Sequence, residues 1–278
     1  MKRLQVAIII GDKPNYDENA FKYFILYLNK IQTTYEFRFP DLTSYPFQKE
    51  VCNFENSILI FNDFLKKKEI QADFSIAIIT SRFDNNYFFN AKEETAIISI
   101  NKWDKYFSPP SLFEYLLHCI YSCLIYSQKA PVGRSIPETA KGIVIDSHRD
   151  TFGCVIDFTR DKFDDRVDIT LGYICDNHKE EIMTVFGEQY LNETINILER
   201  KWIGNLEEKD SVAYNLNHIF KFNINKDSGF NKNLWDKCKE SFYAIPGNLT
   251  GEVLKLVLTV VITYLLVKYG LSTNTGSR

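Results

Sequence analysis

At 278 residues, with 45% hydrophobic and 25% charged side chains, the chain has ordinary globular composition and length enough for one large domain or a main domain with an appendage. A formal net charge of −3 excludes a nucleic-acid binder driven by bulk positive charge. The opening MKRLQVAIIIGD has too short an apolar run for an export leader, so a cytoplasmic protein is expected, with six cysteines serving as thiols or metal ligands and not as a disulfide framework.

Gln5 to Ile10 is a nearly continuous apolar run closed by Gly11-Asp12, the pattern of a central strand buried on both faces. Without G-x-G-x-x-G or a following Lys-Ser/Thr, Gly11-Asp12 reads as a plain turn. Glu18 to Ile31 carries apolar residues at helical spacing, and Tyr35 to Phe39 alternates like a strand. Ser57 to Lys68 predicts a second helix whose closing lysines complement its C-terminal dipole. Asp73 to Thr80 and Thr95 to Ile100 predict two more buried strands, with a hairpin-like excursion between them at the sheet edge.

Ser111 to Gln128 follows Ser108-Pro-Pro and is rich in large apolar residues, so a buried helix is expected. Glu114, His118 and Ser122 fall on one of its faces, with Cys119 and Cys123 beside them. Ala130 to Ala140 reads as a linker, because two prolines and a glycine break the pattern. The expected organisation is therefore an α/β domain over residues 1–130, a Cys/His hairpin over 141–180 and a helical part over 181–278.

Within the middle piece, Gly142 to Asp146, Gly153 to Phe158 and Val167 to Leu171 look like short strands. His148, Cys154, Cys175 and His178 stand in the spacing H-x5-C-x20-C-x2-H, which brings two of four histidines and two of six cysteines into about thirty residues. Two thiols and two imidazoles, three of them at turns, suit a tetrahedral zinc ion in a structural site. The aspartates between them (Asp157, Asp161, Asp164, Asp165 and Asp168) read as a solvated hairpin, with Asp157 and Asp168 as inward-facing carboxylates in a second reading.

Glu180 to Trp202 predicts one long helix and Ser211 to Phe222 another helical unit. Asn223 to Gly229 resembles half a calcium loop, but its glycine is one position late and no acidic twelfth residue follows, so it reads as a turn. Leu249 to Gly270 closes the chain with an uninterrupted apolar core from Leu256 to Val267, about 18 Å as a helix against about 30 Å of bilayer hydrocarbon. A helix packed in the core or against a protein partner is expected there, with membrane association through residues 253–269 as the alternative.

The order strand, helix, strand, helix, strand, strand, helix over residues 4 to 180 resembles the zincin group of zinc metallopeptidases, with Ser111 to Gln128 standing for the helix that bears H-E-x-x-H. Archaeal-type metzincins in that group hold a second, structural zinc downstream through cysteines that end in C-x2-C, and Cys175-x2-His178 is similar to that closing pair. The motif would place Glu114 and Tyr115 where the first histidine and the catalytic glutamate belong, leaving His118 as its match. The resemblance thus implies either a zincin-like fold that has lost its chemistry and kept a structural zinc, or only a shared α/β order.

Two functions follow from these residues. The preferred one is a zinc-stapled, non-catalytic α/β protein, a mixed sheet flanked by helices, acting through its C-terminal helix on a protein partner or a membrane. The alternative is a peptidase-related hydrolase using Glu114 and His118, with Cys119 or Cys123. The high Phe, Tyr, Asn, Lys and Ile content resembles the products of AT-rich bacterial genomes.

Overall fold

The structure is a computed structural model describing residues 3–11, 15–42, 44–47, 49–103, 108–127, 145–148, 153–158, 162–230 and 249–268, with the side chains of 162–164, 249–257 and 267 left aside. It divides into two compact units, Met1–Phe230 and Asn231–Arg278. The expected linker, Ala130 to Ala140, lies outside the described residues.

The first unit is built on β1 (Leu4–Ile10), β2 (Tyr35–Arg38), β4 (Phe74–Ile79), β6 (Phe89–Lys92) and β7 (Thr95–Ser99), joined in the order β2-β1-β4-β7-β6. β1 pairs in parallel with both β2 and β4, and β4 with β7, whereas β6 returns antiparallel on β7 as the edge strand. Alternate residues feed opposite sides, as the two-residue period of a strand requires. Val6, Ile8, Ile76, Ile78 and Ile98 enter the larger core, and Ala7, Ile9, Ala77, Ile79 and Ile97 the smaller one. That is why these strands read as unbroken apolar runs.

Helices α1 (Glu18–Ile31) and α3 (Leu112–Tyr126) pack in the larger core, and α2 (Phe54–Lys67) in the smaller one on the opposite face. The short β3 (Val51–Cys52) and β5 (Arg82–Phe83) pair separately beside α2. Asp17 caps α1, Asn53 caps α2, and Ser111 with Glu114 forms a reciprocal capping box on α3. The result is an α/β fold, a mixed sheet covered by helices on both faces.

Three expected elements differ, the first being the strand over Gly153 to Phe158, which is a turn whose Cys154 and Asp157 form only isolated bridges. The strand over Val167 to Leu171 is instead the end of helix α4 (Lys162–Leu171), so these residues form no arm of a hairpin. Val167, Ile169 and Leu171 alternate in sequence, yet Val167 and Leu171 are 48% and 56% exposed, while Asp165, Asp168 and Ile169 face inward at helical spacing. The buried face of α4 is partly polar, so the alternating apolar residues point to the wrong element. The long helix over Glu180 to Trp202 is two, α5 (Asp176–Phe186) and α6 (Glu188–Leu198), broken at Gly187 with φ 89°. A left-handed φ of that kind interrupts the helical hydrogen-bond ladder and favours glycine.

After α6 comes α7 (Val212–Phe220), capped by Ser211. The side chains of α5, α6 and α7 enter the same large core as α1 and α3, so these helices belong to the sheet's own unit. In the second unit, α8 (Leu249–Lys268) leaves Leu258, Val260, Val261, Tyr264 and Leu265 exposed. No helix among the described residues is long and apolar enough to cross a membrane.

Candidate metal centre

Two isolated bridges and one helix start bring the Cys/His residues together. His148 forms an isolated parallel bridge with Asp157, and Cys154 forms one with Tyr173. Cys175 is the N-cap of α5 and His178 lies in its first turn, so C-x2-H puts both side chains on one side of the helix start. Gly172, with φ 56°, sets the turn out of α4, where an added Cβ would strike the carbonyl oxygen of Leu198.

The four ligand atoms lie within 4.8 Å of one another. Nε2 of His148 is 3.1 Å from Cys175 Sγ, and Nδ1 of His178 is 3.3 Å from both Cys154 Sγ and Cys175 Sγ. Ligands of a tetrahedral zinc, at about 2.3 Å for sulfur and about 2.0–2.1 Å for nitrogen, stand about 3.3–3.8 Å apart, so small adjustments would admit the ion. Two thiolates and two neutral imidazoles also cancel the charge of a divalent metal, which suits a site whose Cys154 and His178 are buried. All four positions are then filled by protein, the arrangement of a structural and not a hydrolytic zinc.

Outer contacts orient the ligands. Nε2 of His178 lies 2.8 Å from the carbonyl oxygen of Asp146, which can only accept, so the proton sits on Nε2 and the Nδ1 lone pair faces the sulfurs. The backbone N–H of Cys175 donates to Cys154 Sγ at 3.4 Å, and Asp157 Oδ2 accepts from the Cys154 N–H at 3.0 Å. Without metal, burial pushes the Cys154 thiol up to about 12, against the lowering effect of backbone N–H groups. A bound divalent ion would displace that proton.

The catalytic candidates do not converge. Glu114 Oε2 accepts from the Ser111 N–H at 2.7 Å and Oε1 pairs with Arg200 at 2.9 Å, so both carboxylate oxygens serve the fold. His118 instead faces Asp165, with Nε2 and Oδ1 3.7 Å apart, in a small cleft that also includes Ser122 and Asp157. Burial, helped by the nearby Arg200 charge, holds the His118 imidazole neutral with its pKa lowered to about 3. Cys119 and Cys123 are buried thiols, and burial pushes Cys123 upward, away from a nucleophile's range. Neither Cys119 nor His118 joins the ligand cluster.

The aspartate run is not a solvated hairpin. Asp165 and Asp168 are 3% and 1% exposed on α4, and Asp157 is half-buried against Cys154. Asp161 lies outside the described residues, as does the side chain of Asp164. Sequence reading singled out Asp157 and Asp168 but missed the placement of Asp165 and the role of Arg200. The i, i+3 spacing of Asp165 and Asp168 was the available signal, legible only once α4 is taken as a helix.

Fold and site together define an α/β protein with a candidate Cys2His2 metal centre. No family model and no curated protein matches the chain. Among solved structures, an archaemetzincin from Methanopyrus kandleri is similar at 11% identity, covering 71% of this chain and 94% of that one with a TM-score of 0.41. The chemistry of the site therefore rests on this chain's own residues.

Proposed function

We propose that this chain is a zinc-stapled, non-catalytic α/β protein whose metal is held by His148, Cys154, Cys175 and His178 and whose exposed C-terminal helix meets a protein partner or a membrane surface. The observation that carries the metal assignment is the convergence of four N and S atoms within 4.8 Å, with a donor set that neutralises a divalent ion. The zinc fastens the loop around Cys154 to the start of α5. That loop is also tied to α3, because Ser122 Oγ lies 3.0 Å from the Val155 carbonyl oxygen and the Tyr126 hydroxyl donates to that of Ile156 at 3.2 Å.

A non-catalytic role is supported by the engagement of Glu114 in the capping box and the Arg200 ion pair, which leaves the hydrolytic alternative without its carboxylate. The interaction role is supported by the run of exposed apolar side chains on α8. The deciding experiment is metal analysis of the purified full-length protein with Cys175→Ser and His178→Ala beside it. One zinc per wild-type chain, lost in both variants, is expected. A metal-free wild type, or full retention by both variants, would overturn the assignment.

A further inference from the structure

We propose that the cleft over His118 binds a primary ammonium group, presented by a small alkylamine or by a free peptide amino terminus. The walls of the cleft supply acceptors and aromatic rings, while its hydroxyls are largely committed to the backbone. Asp157 and Asp165 line it, and no lysine or arginine does so among the described residues. Ser122 and Tyr126 direct their hydroxyls at carbonyl oxygens of Val155 and Ile156.

His118 is the independent sign of a ligand. The residue is 6% exposed and lines the cleft, yet its Nδ1 has no hydrogen-bond partner among the described residues. Nε2 faces the Asp165 carboxylate at 3.7 Å, which electrostatically favours the tautomer protonated on Nε2, and in that tautomer Nδ1 presents a buried lone pair that calls for a donor. The rim is aromatic: Tyr87 lies 5.8 Å from Phe158 and 5.4 Å from Phe88, between centroids, and Phe89 lies 6.4 Å from Tyr126.

A primary ammonium offers three N–H donors and a compact positive charge, matching one imidazole lone pair, carboxylate oxygens and ring faces together. A metal ion fits less well. The described residues contain one group of three or more potential ligands close enough to share an ion, and it is the Cys/His cluster and not this cleft. The amine proposal does not require zinc, so its outcome and that of the metal assignment are separable.

The test titrates full-length protein with propylammonium, alanine amide and neutral propanol while the His118 ring nitrogens are followed by NMR. Saturable movement of Nδ1 with an ammonium ion but not with propanol is the expected result, and the ammonium that binds identifies the source, small amine or peptide terminus. Asp165→Asn should weaken binding by about tenfold or more, the loss of one charge-assisted hydrogen bond. Absence of saturable movement with either ammonium ion, or equal movement with propanol, overturns the proposal. The wild-type titration remains decisive if the variant misfolds.

Discussion

His178 and Asp146 are joined by a hydrogen bond of 2.8 Å from Nε2 to the backbone carbonyl oxygen, which turns Nδ1 toward Cys154 and Cys175. The tautomer needed for metal binding is thus fixed by the chain itself. Chelator treatment should lower the thermal midpoint, and stoichiometric zinc should restore it. Cobalt substitution should give the absorption of a tetrahedral thiolate site. An unchanged melt together with an octahedral cobalt spectrum would count against a closed Cys2His2 centre.

Glu114 is a structural carboxylate. Glu114→Ala removes the capping box and strands Arg200, whose partner oxygen is 2.9 Å away in an ion pair less than one-fifth exposed on either side. Urea denaturation should show a loss of about 2–4 kcal/mol, with metal content unchanged. A variant as stable as wild type would contradict this role.

Burial keeps His118 neutral with its pKa lowered to about 3, whereas in the unfolded chain it titrates near about 6.5. Between those values the unfolded state binds the additional proton, so this residue's contribution to stability falls as pH drops from about 6.5 toward 3. With saturating zinc, His118→Gln should show a shallower loss of stability than wild type between about pH 6.5 and 5. Equal slopes in urea titrations would show that His118 is not held neutral.

Gly172 couples the end of α4 to the metal cluster. At φ 56° its added Cβ would collide with the backbone carbonyl of Leu198, which cannot swing aside as a side chain can. Gly172→Ala should cost about 1–3 kcal/mol and weaken zinc retention, both readable from chelator-dependent melts. Wild-type melts would mean that the turn has room to shift.

The apolar surface of α8 should make the full chain associate with a partner or with lipid vesicles. Val261→Asp combined with Leu265→Asp places charge among its exposed side chains and should reduce vesicle co-sedimentation or self-association several-fold. Equal behaviour of variant and wild type would remove α8 from the interaction proposal.

The sequence by itself determined the elements whose burial is apolar. Strands β1, β4 and β7 lie inside continuous apolar runs and are buried on both faces, and α1 to α3 announce themselves by their period, although α2 starts at Phe54, three residues before the expected Ser57. The four ligand candidates were also legible, because thiols and imidazoles are few and their spacing is short. Tertiary structure alone decided where polarity is turned inward. Helix α4 hides Asp165 and Asp168 while exposing Val167 and Leu171, an inversion that a hydrophobic pattern cannot encode. Likewise Glu114, which local spacing places near His118, is held by Arg200, 86 residues away in the chain. Periodicity reports which residues avoid water, but the partners that make buried charge tolerable come from distant segments, and only the fold brings them together.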